Sequence, residues 1–190
     1  MEEERLILGC ARGEAGACEE VYKRFAPTML ALCRRYAGDI ETARDLMQDG
    51  FVKVFLSARA YSGAGAFGGW VRKVFVTTCL EYLRRKDVLR YAVEVEGDGL
   101  DVEDVEAGVV DRLSAEDIMA CIAALPTGYR TVFNLFAIEG YSHAEIGALL
   151  KISEITSRTQ FIRARNSLRK SVRLLIDNGH ESKQRAGRTP

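Results

Sequence analysis

The sequence predicts an all-α protein with two small helical domains joined by a flexible acidic linker, the second domain containing a helix-turn-helix. Apolar residues recur at three- and four-residue steps, the spacing of a helix with one buried face. No segment alternates like a half-buried strand, and only three prolines interrupt the 190 residues. The predicted boundaries are 1–86 and 113–178 for the domains, 87–112 for the linker and 179–190 for a disordered basic tail.

Four helices are predicted in the N-terminal domain from their start and stop signals. Gly13 ends the first, and Gly38 ends the second, in which Pro27 predicts a kink. Asp39 is a good N-cap for the third. A glycine-rich turn precedes the fourth. The predicted helices cover residues 3–12, 15–36, 40–60 and 67–85.

The third helix has two faces of different character. Its core face is apolar and contains a glycine, at Ala43, Leu46, Met47, Gly50, Phe51, Val54 and Phe55. A second stripe of the same spacing carries two carboxylates, an amide and a valine, at Asp45, Gln48, Asp49 and Val52. A helix that faces only water does not need this combination, so we interpret the stripe as a surface for a cationic partner helix. Glycine costs a helix about 0.5–1 kcal/mol relative to alanine, so Gly50 predicts close packing against a neighbouring helix.

The fourth helix and the loop before it have features of a nucleic-acid surface. One helix face is apolar and aromatic, and the opposite face carries basic and hydroxyl side chains at Arg72, Lys73, Thr77, Arg84, Arg85 and Lys86. The preceding loop is rich in glycine and has an aromatic residue at each border, Tyr61 and Phe67. Basic and hydroxyl groups suit phosphates, and an unstacked base can lodge in such a loop or stack on a ring. We therefore expect this region to bind single-stranded nucleic acid.

Two helices are predicted at the start of the C-terminal domain. Ser114 and Asp117 make a start that resembles a capping box for the first of them. Pro126 and Thr127 open the next helix, and Gly140 closes it.

Two further capped helices, joined by about three residues, predict a helix-turn-helix. Ser142 and Glu145 form an S-x-x-E capping box for the first, and Ser153 caps the second. The inward positions of the second helix are Ser157, Phe161, Ala164 and Leu168. Its outward side presents Ile155, Arg158, Thr159, Ile162 and Arg163. Arginine can bind guanine through two hydrogen bonds and aliphatic methyls can touch thymine, so this helix is predicted to enter a major groove.

Charge is unevenly distributed along a chain whose net charge is zero. Residues 87–112 contain nine acidic and two basic side chains, whereas residues 158–190 contain nine basic and two acidic ones. This asymmetry predicts an anion-binding end, and an acidic segment that avoids nucleic acid or competes for the protein's own basic surface.

Several other classes of protein are disfavoured by composition. The five cysteines are widely separated and include no C-x-x-C pair, so we expect reduced, mostly buried thiols and no metal site. No run of eighteen apolar residues occurs and the acidic start is unlike a signal peptide, so we expect a cytoplasmic protein with no membrane insertion of its own. Phosphate loops, nucleotide fingerprints and Ser-His-Asp sets are absent, so neither an enzyme nor a cofactor is expected.

Three segments resemble regions 2 and 4 of the extracytoplasmic-function sigma factors, the two-domain branch of the bacterial sigma-70 family. They are "DIETARDLMQDGFVKVF", "FGGWVRKVFVTTCLEYLRRK" and "LPTGYRTVFNLFAIEGYSHAEIGALLKISEITSRTQFIRARNSLRK". The resemblance covers nearly the whole chain except the linker and tail, and the order and spacing of the three segments make it specific. The resemblance implies an RNA polymerase sigma factor that binds core RNA polymerase and promoter DNA and has an anti-sigma factor as partner.

The resemblance also implies a role for each surface. It implies that the core polymerase binds the stripe of Asp45, Gln48, Asp49 and Val52. It implies that the melted −10 element is captured by Tyr61, Phe67, Lys73, Thr77, Arg84 and Arg85. It implies that the −35 element is read by Ile155, Arg158, Thr159, Ile162 and Arg163. Thr77 stands where the family usually has asparagine, and Lys151 and Ile155 stand where glycine is common. Lys151 is expected to carry a left-handed backbone penalty if the turn is kept.

Two alternatives remain open at the level of sequence. A stand-alone regulator could use the same helix-turn-helix to bind an operator, usually as a dimer, but this leaves the stripe on the third helix unexplained. An enzyme could bind a metal through Asp45, Asp49 and His143. His143 is one of two histidines, and its place at a helix start predicts a surface residue.

Overall fold

The computed structural model describes the backbone of residues 2–86 and 114–186, and the side chains of residues 3–86 and 114–177. These residues form helices and turns, with no β-strand in the described ranges, so the predicted all-α class is confirmed. The chain divides into two compact units, Met1–Asp87 and Val88–Pro190. The linker predicted at 87–112 lies outside the described residues.

The first unit contains four α-helices and one 3-10 turn. They are α1 (Glu2–Arg12), α2 (Ala15–Ala37), α3 (Ile40–Ser57), the 3-10 turn Ala58–Ala60 and α4 (Phe67–Arg85). Gly13 (φ 77°) and Gly38 (φ 87°) end α1 and α2 in the left-handed conformation, as predicted. Asp39 Oδ1 accepts a hydrogen bond from the Thr42 amide at 2.7 Å and so caps α3. Pro27 lies inside α2, which continues on both sides of it.

The core of the first unit is built from apolar side chains on α2, α3 and α4. Leu32, Tyr36, Val54 and Phe75 are among the largest side chains that it buries completely. Phe75 occupies the space that Gly50 leaves open, since a Cβ on Gly50 would lie 2.5 Å from Phe75 Cε1. The close helix packing predicted at Gly50 is therefore confirmed.

Within residues 114–186, the described part of the second unit forms four α-helices and a π-helical turn. They are α5 (Ala115–Ala123), α6 (Thr127–Phe133), the π-helical turn Asn134–Ile138, α7 (His143–Leu150) and α8 (Glu154–Ala186). The predicted capping box at the start of α5 is confirmed, because the Asp117 amide donates to Ser114 Oγ at 3.1 Å while Asp117 Oδ2 accepts from the Ser114 amide at 3.0 Å. The π turn continues α6 directly, and Gly140 (φ 78°) follows it in the left-handed region.

The last helix is longer than the sequence predicts. α8 runs to Ala186, so residues 179–186 are helical where the sequence predicts a disordered tail. Helical hydrogen bonding propagates from an existing turn at little cost, and no proline interrupts the chain before position 190. Residues 187–190 lie outside the described part of the chain.

The core of the second unit mixes apolar and polar side chains. Leu125, Tyr129 and Ala164 form an apolar cluster, against which Phe133 and Leu168 pack. The polar and charged side chains that this unit buries are Arg130, Thr131, Asn134, His143, Ser157 and Gln160. Buried polar groups are stable when they are hydrogen-bonded, so specific contacts hold this unit in addition to apolar burial.

Candidate protein-binding and nucleic-acid-binding surfaces

The predicted stripe on α3 faces solvent along its whole length. Asp45, Gln48 and Asp49 are exposed, and Val52 is 55% exposed. Leu56 follows Val52 by one helical turn and is 80% exposed, so it extends the stripe with a second aliphatic side chain. Leu56 is not among the residues predicted for this stripe, although its four-residue spacing from Val52 is a sequence signal for the same helix face. The stripe thus combines two carboxylates and an amide with an apolar end.

An ion pair fixes the stripe helix to the helix that follows the glycine-rich loop. Lys53 Nζ on α3 donates to Glu81 Oε2 on α4 at 2.6 Å, and both side chains are partly exposed. The Lys53 hydrogen bond holds the pKa of Glu81 below its usual value, with smaller contributions from the Lys53, Arg85 and Arg84 charges. Together with the packing of Phe75 on Gly50, this pair keeps α3 and α4 in one fixed arrangement.

Three aromatic rings gather where the glycine-rich loop meets α4. The ring centroids of Tyr61, Phe67 and Trp70 are 5.3 to 5.7 Å apart, and the Tyr61 hydroxyl donates to the Gly65 carbonyl at 2.6 Å. Gly63 and Gly65 both have positive φ angles, 77° and 81°, which favour glycine in this loop.

The rings of this aromatic cluster differ in exposure. Phe67 is 2% exposed, whereas Tyr61 and Trp70 are half-buried. Burial therefore makes Phe67 a support for the cluster and leaves Tyr61 and Trp70 as the rings that reach the surface. Trp70 lies on the apolar and aromatic face of this helix, and position along a helix alone cannot distinguish a fully buried ring from one at the rim.

The basic face of α4 is open to solvent at the predicted positions. Lys73, Thr77, Arg84 and Arg85 are all exposed. The guanidinium of Arg85 also lies 3.8 Å from Glu81, so part of its charge is directed at its own helix. Hydroxyl and cationic groups on one exposed helix face, beside half-exposed rings, can contact phosphates and stack on bases at the same time.

In the helix-turn-helix, each helix begins with a side-chain cap, and a residue in the left-handed conformation ends the first helix. The capping box predicted for α7 is confirmed, with the Ser142 amide donating to Glu145 Oε2 at 2.8 Å and the Glu145 amide donating to Ser142 Oγ at 3.3 Å. Ser153 caps α8 by accepting from the Thr156 amide at 2.9 Å. Lys151 adopts φ 57° and ψ 43°, so the left-handed turn expected at this non-glycine residue is present.

His143 is buried inside the helix-turn-helix, which corrects the prediction that it is a surface residue. It is 7% exposed, its Nδ1 lies 2.9 Å from Ser157 Oγ on α8, and its ring stacks on Phe136 with centroids 4.2 Å apart. Burial lowers the pKa of His143, and the nearby Arg158 charge lowers it further. A buried histidine therefore joins the two helices of the motif. Its position at the start of α7 gave no indication of these tertiary contacts.

The outward face of α8 is exposed at four of its five predicted positions. Ile155 and Ile162 are 76% and 58% exposed, and Arg158 and Thr159 are exposed as well. Arg158 Nη2 lies 2.5 Å from Glu154 Oε1 one turn earlier on the same helix. This pair holds the guanidinium close to the N-terminal end of α8.

Arg163 differs from the other four outward positions. It is half-buried, and its Nη1 donates to the Tyr129 hydroxyl at 3.4 Å. Tyr129 belongs to the apolar cluster of the second unit, so Arg163 connects the outward face of α8 to that core. A role for Arg163 in reading bases remains a prediction, and the structure gives it a supporting contact that the sequence did not indicate.

The described residues offer no candidate for the metal site of the alternative enzyme hypothesis. Within residues 3–86 and 114–177, no three His, Cys, Asp or Glu side chains are grouped as metal ligands.

Among the helices that the structure describes, none has both the length and the apolar character needed to cross a bilayer.

Comparisons with known proteins relate the chain to one family. Residues 21–88 match the family model for sigma-70 region 2, and residues 115–168 match the model for sigma-70 region 4. The chain is 32% identical over 155 residues to the ECF RNA polymerase sigma factor SigE of Mycolicibacterium smegmatis, covering 80% of this chain and 60% of the relative. It is 27% identical to the ECF RNA polymerase sigma factor SigW of Bacillus subtilis, covering 85% of this chain and 92% of that protein.

A solved structure supports the same fold. The sigma factor RpoE from Bartonella quintana, solved in complex with the anti-sigma factor NepR, aligns with a TM-score of 0.53 at 17% identity. The alignment covers 82% of this chain and 96% of that chain. At this level of identity the likeness concerns the arrangement of helices.

Proposed function

This chain belongs to the extracytoplasmic-function sigma factors of the sigma-70 family, the initiation factors of bacterial RNA polymerase, and we propose that its exposed surfaces divide promoter recognition among them. The stripe on α3 binds the core polymerase, the loop and basic face of α4 capture the melted −10 element, and α8 reads the −35 element. Members of this family are transcription initiation factors, and we propose that this chain likewise carries out no bond chemistry. The polymerase and promoter that it needs place it in the cytoplasm.

Docking on the polymerase is the step on which the others depend. An acidic and amide stripe ending in Val52 and Leu56 suits a partner helix that presents cations beside an apolar strip. The observation that carries the proposal is that this stripe lies on a helix packed directly against α4. A protein bound to α3 is therefore held next to the aromatic cluster and the basic face that would receive DNA.

Strand capture follows once polymerase has opened the duplex. Tyr61 and Trp70 present partly exposed rings on which an unstacked base can rest, and Lys73, Thr77, Arg84 and Arg85 can bind the phosphates beside it. Base stacking on an aromatic side chain contributes about 1–3 kcal/mol, so a few such contacts convert a transient opening into a stable one.

Promoter selection by the helix-turn-helix completes the proposed mechanism. The exposed side chains at the start of α8 include Ile155, Arg158, Thr159 and Ile162, which suit methyl and guanine contacts in a major groove. Two small domains that are not held at promoter spacing bind DNA weakly, and the acidic linker competes for the basic surface. Polymerase fixes both domains, so that each weak contact raises the effective concentration of the next. An anti-sigma factor, such as the one that accompanies the Bartonella protein, is the expected regulatory partner.

A promoter-melting assay with core polymerase tests the docking surface directly. The double variant Asp45→Lys and Asp49→Lys reverses both carboxylates of the stripe, and we expect it to weaken polymerase binding at least about tenfold because like charges then meet at the interface. Melting should fall in proportion at limiting protein concentration.

The matched control makes the same charge change elsewhere on the first unit. Glu4→Lys and Glu20→Lys alter two exposed acidic residues on α1 and α2, and this variant should keep wild-type melting. Equal losses in both variants would show a general effect of net charge and would count against docking through α3. Retained melting in the Asp45→Lys and Asp49→Lys variant would contradict the proposal.

A further inference from the structure

An acidic side chain interrupts the row of positions through which α4 would bind DNA. Four-residue steps place four side chains along one line of the helix surface, those of Lys73, Thr77, Glu81 and Arg85. Lys73, Thr77 and Arg85 are exposed, whereas Glu81 is half-buried. Glu81 is also the only carboxylate in the sequence of α4. A carboxylate in such a row repels phosphates unless another charge neutralises it.

Lys53 on the neighbouring helix α3 neutralises this carboxylate. Its Nζ donates a hydrogen bond to Glu81 Oε2 at 2.6 Å. The Arg85 guanidinium lies 3.8 Å from the same oxygen, which is beyond hydrogen-bonding distance. The Lys53 hydrogen bond is the main cause that holds the pKa of Glu81 below its ordinary value, so the carboxylate is charged at neutral pH. Two cations from different helices therefore converge on one carboxylate oxygen.

A second pair with the same spacing shows how close Arg85 could come. On α8, Arg158 follows Glu154 by four residues, as Arg85 follows Glu81, and Arg158 Nη2 lies 2.5 Å from Glu154 Oε1. The spacing thus permits a direct hydrogen bond, yet the pair on α4 is 3.8 Å apart. Because Lys53 occupies Oε2 of Glu81, the Arg85 side chain remains 74% exposed and can meet another anion.

We propose that Lys53 and Glu81 are positioning residues that set how strongly α4 binds the backbone of single-stranded DNA. Lys53 cancels the charge of Glu81, so the carboxylate does not repel phosphates and Arg85 is available to them. Without Lys53, Arg85 closes onto Glu81 and the DNA surface loses one cation. Without the carboxylate, both cations face DNA, and binding becomes stronger and less dependent on sequence. This inference rests on the proposed role of α4 in strand capture.

Binding of a pre-melted promoter by the full chain with saturating core polymerase, measured over a range of salt concentrations, tests this inference. Lys53→Met keeps the aliphatic stem, and we expect it to weaken binding at least about threefold and to reduce the salt slope by about 0.7, the value for one phosphate contact on a single strand. Glu81→Gln should strengthen binding by a similar factor and steepen the slope. In the Glu81→Gln background, Lys53→Met should change the affinity less than about twofold.

This double-mutant cycle separates the proposed role from two others. If the ion pair served only to hold α3 on α4, both single variants would weaken binding. If Lys53 contacted DNA itself, Lys53→Met would weaken binding equally in the wild-type and Glu81→Gln backgrounds. Either result would overturn the inference.

Glu19→Gln is the matched control, because it removes one carboxylate from an exposed ion pair of the same length, 2.6 Å to Lys23, on α2. It should leave strand binding unchanged, and a gain equal to that of Glu81→Gln would overturn the inference by showing a general effect of net charge. Circular dichroism verifies that each variant is folded. Equal affinities in all variants would overturn this inference alone, whereas a wild type that does not bind the pre-melted promoter would overturn the proposed function as well.

Discussion

The two units of this sigma factor have cores of different chemistry. The first packs apolar side chains around Phe75, and Thr78 is the polar side chain that it buries among the described residues. The second buries polar groups on α6, α7 and α8, including the pair of His143 and Ser157. Apolar packing needs no particular polar partner, whereas a buried hydrogen bond fixes the two groups that share it. The first core thus supports an exposed charged stripe, and the second sets the geometry of the helix-turn-helix.

The largest effect should come from opening the apolar core of the first unit. Phe75→Ala removes the ring that fills the space beside Gly50 and touches Phe51, and we expect it to lower the free energy of unfolding by about 3–5 kcal/mol. Denaturant unfolding followed by Trp70 fluorescence measures this unit. Chemical shifts of His143 should remain native, and a simultaneous loss of both signals would show that the two cores are not independent.

A smaller effect is expected from the polar core of the second unit. Ser157→Ala leaves Nδ1 of the His143 ring without its hydrogen-bond partner on α8, and an unsatisfied buried group costs about 1–3 kcal/mol. Thermal unfolding measures the loss. Thr159→Ala is the matched control, because its hydroxyl is exposed and bonds only to the Ile155 carbonyl within the same helix among the contacts described. Equal stability of the two variants would remove the proposed distinction between the cores.

Arg158 and Arg163 of α8 should separate DNA reading from support of the helix. Arg158→Ala removes an exposed guanidinium, and loss of a base-reading arginine costs about 1–3 kcal/mol in promoter binding and relaxes specificity at one position. Arg163→Ala breaks the contact with the Tyr129 hydroxyl, so we expect it to lower thermal stability as well. Binding to a panel of single-base −35 variants, with polymerase present, distinguishes the two. Unchanged specificity in Arg158→Ala would assign that residue to phosphate contact.

A stabilising change is predicted at the turn of the helix-turn-helix. Lys151 has a left-handed backbone, and replacing it with glycine should raise the free energy of unfolding of the second unit by about 1 kcal/mol. Lys151→Ala keeps the same steric penalty and should give no such gain. Melting temperatures of the two variants distinguish these outcomes. A higher melting temperature in Lys151→Ala would show that removal of the lysine charge, and not relief of backbone strain, stabilises the unit.

The pH dependence should be the smallest difference and should also separate the units. Because the folded pKa of His143 lies below its ordinary value of 6.5, the folded second unit binds fewer protons and should lose stability as pH falls below about 6.5. The first unit contains no histidine, and the lowered pKa of Glu81 contributes stability that is lost only as pH falls below about 4.5. Unfolding at pH 7.0 and 5.5, in the wild type and in His143→Asn, measures the contrast.

Helix caps and glycines in the sequence predicted most helices of this fold. The burial of individual side chains depends on tertiary contacts, which these local features do not reveal. Caps at Asp39, Ser114 and Ser142, and glycines at the helix ends, fixed where most helices begin and end. The burial of His143 could not be predicted in the same way, because Phe136 and Ser157 reach it from other elements.

The same limit applies to the candidate site. The exposed face of α3 followed from spacing alone, because one face of an amphipathic helix must point away from the core. Exposure of the rings at Tyr61, Phe67 and Trp70 depends on how the loop packs over α4, which no periodicity encodes. Arg163 shows the same effect, since its place on the outward side of α8 gave no sign of its contact with Tyr129.

We propose that the chain selects and opens promoters only when core polymerase holds its two units. DNA affinity of the purified chain, measured with and without core polymerase on one duplex promoter and one pre-melted promoter, tests this directly. We predict weak binding by the chain alone and a gain of at least about 100-fold (about 2.8 kcal/mol) with polymerase, larger on the pre-melted template. Tight binding of the isolated chain to a palindromic duplex, unchanged by polymerase, would rule out this dependence on polymerase.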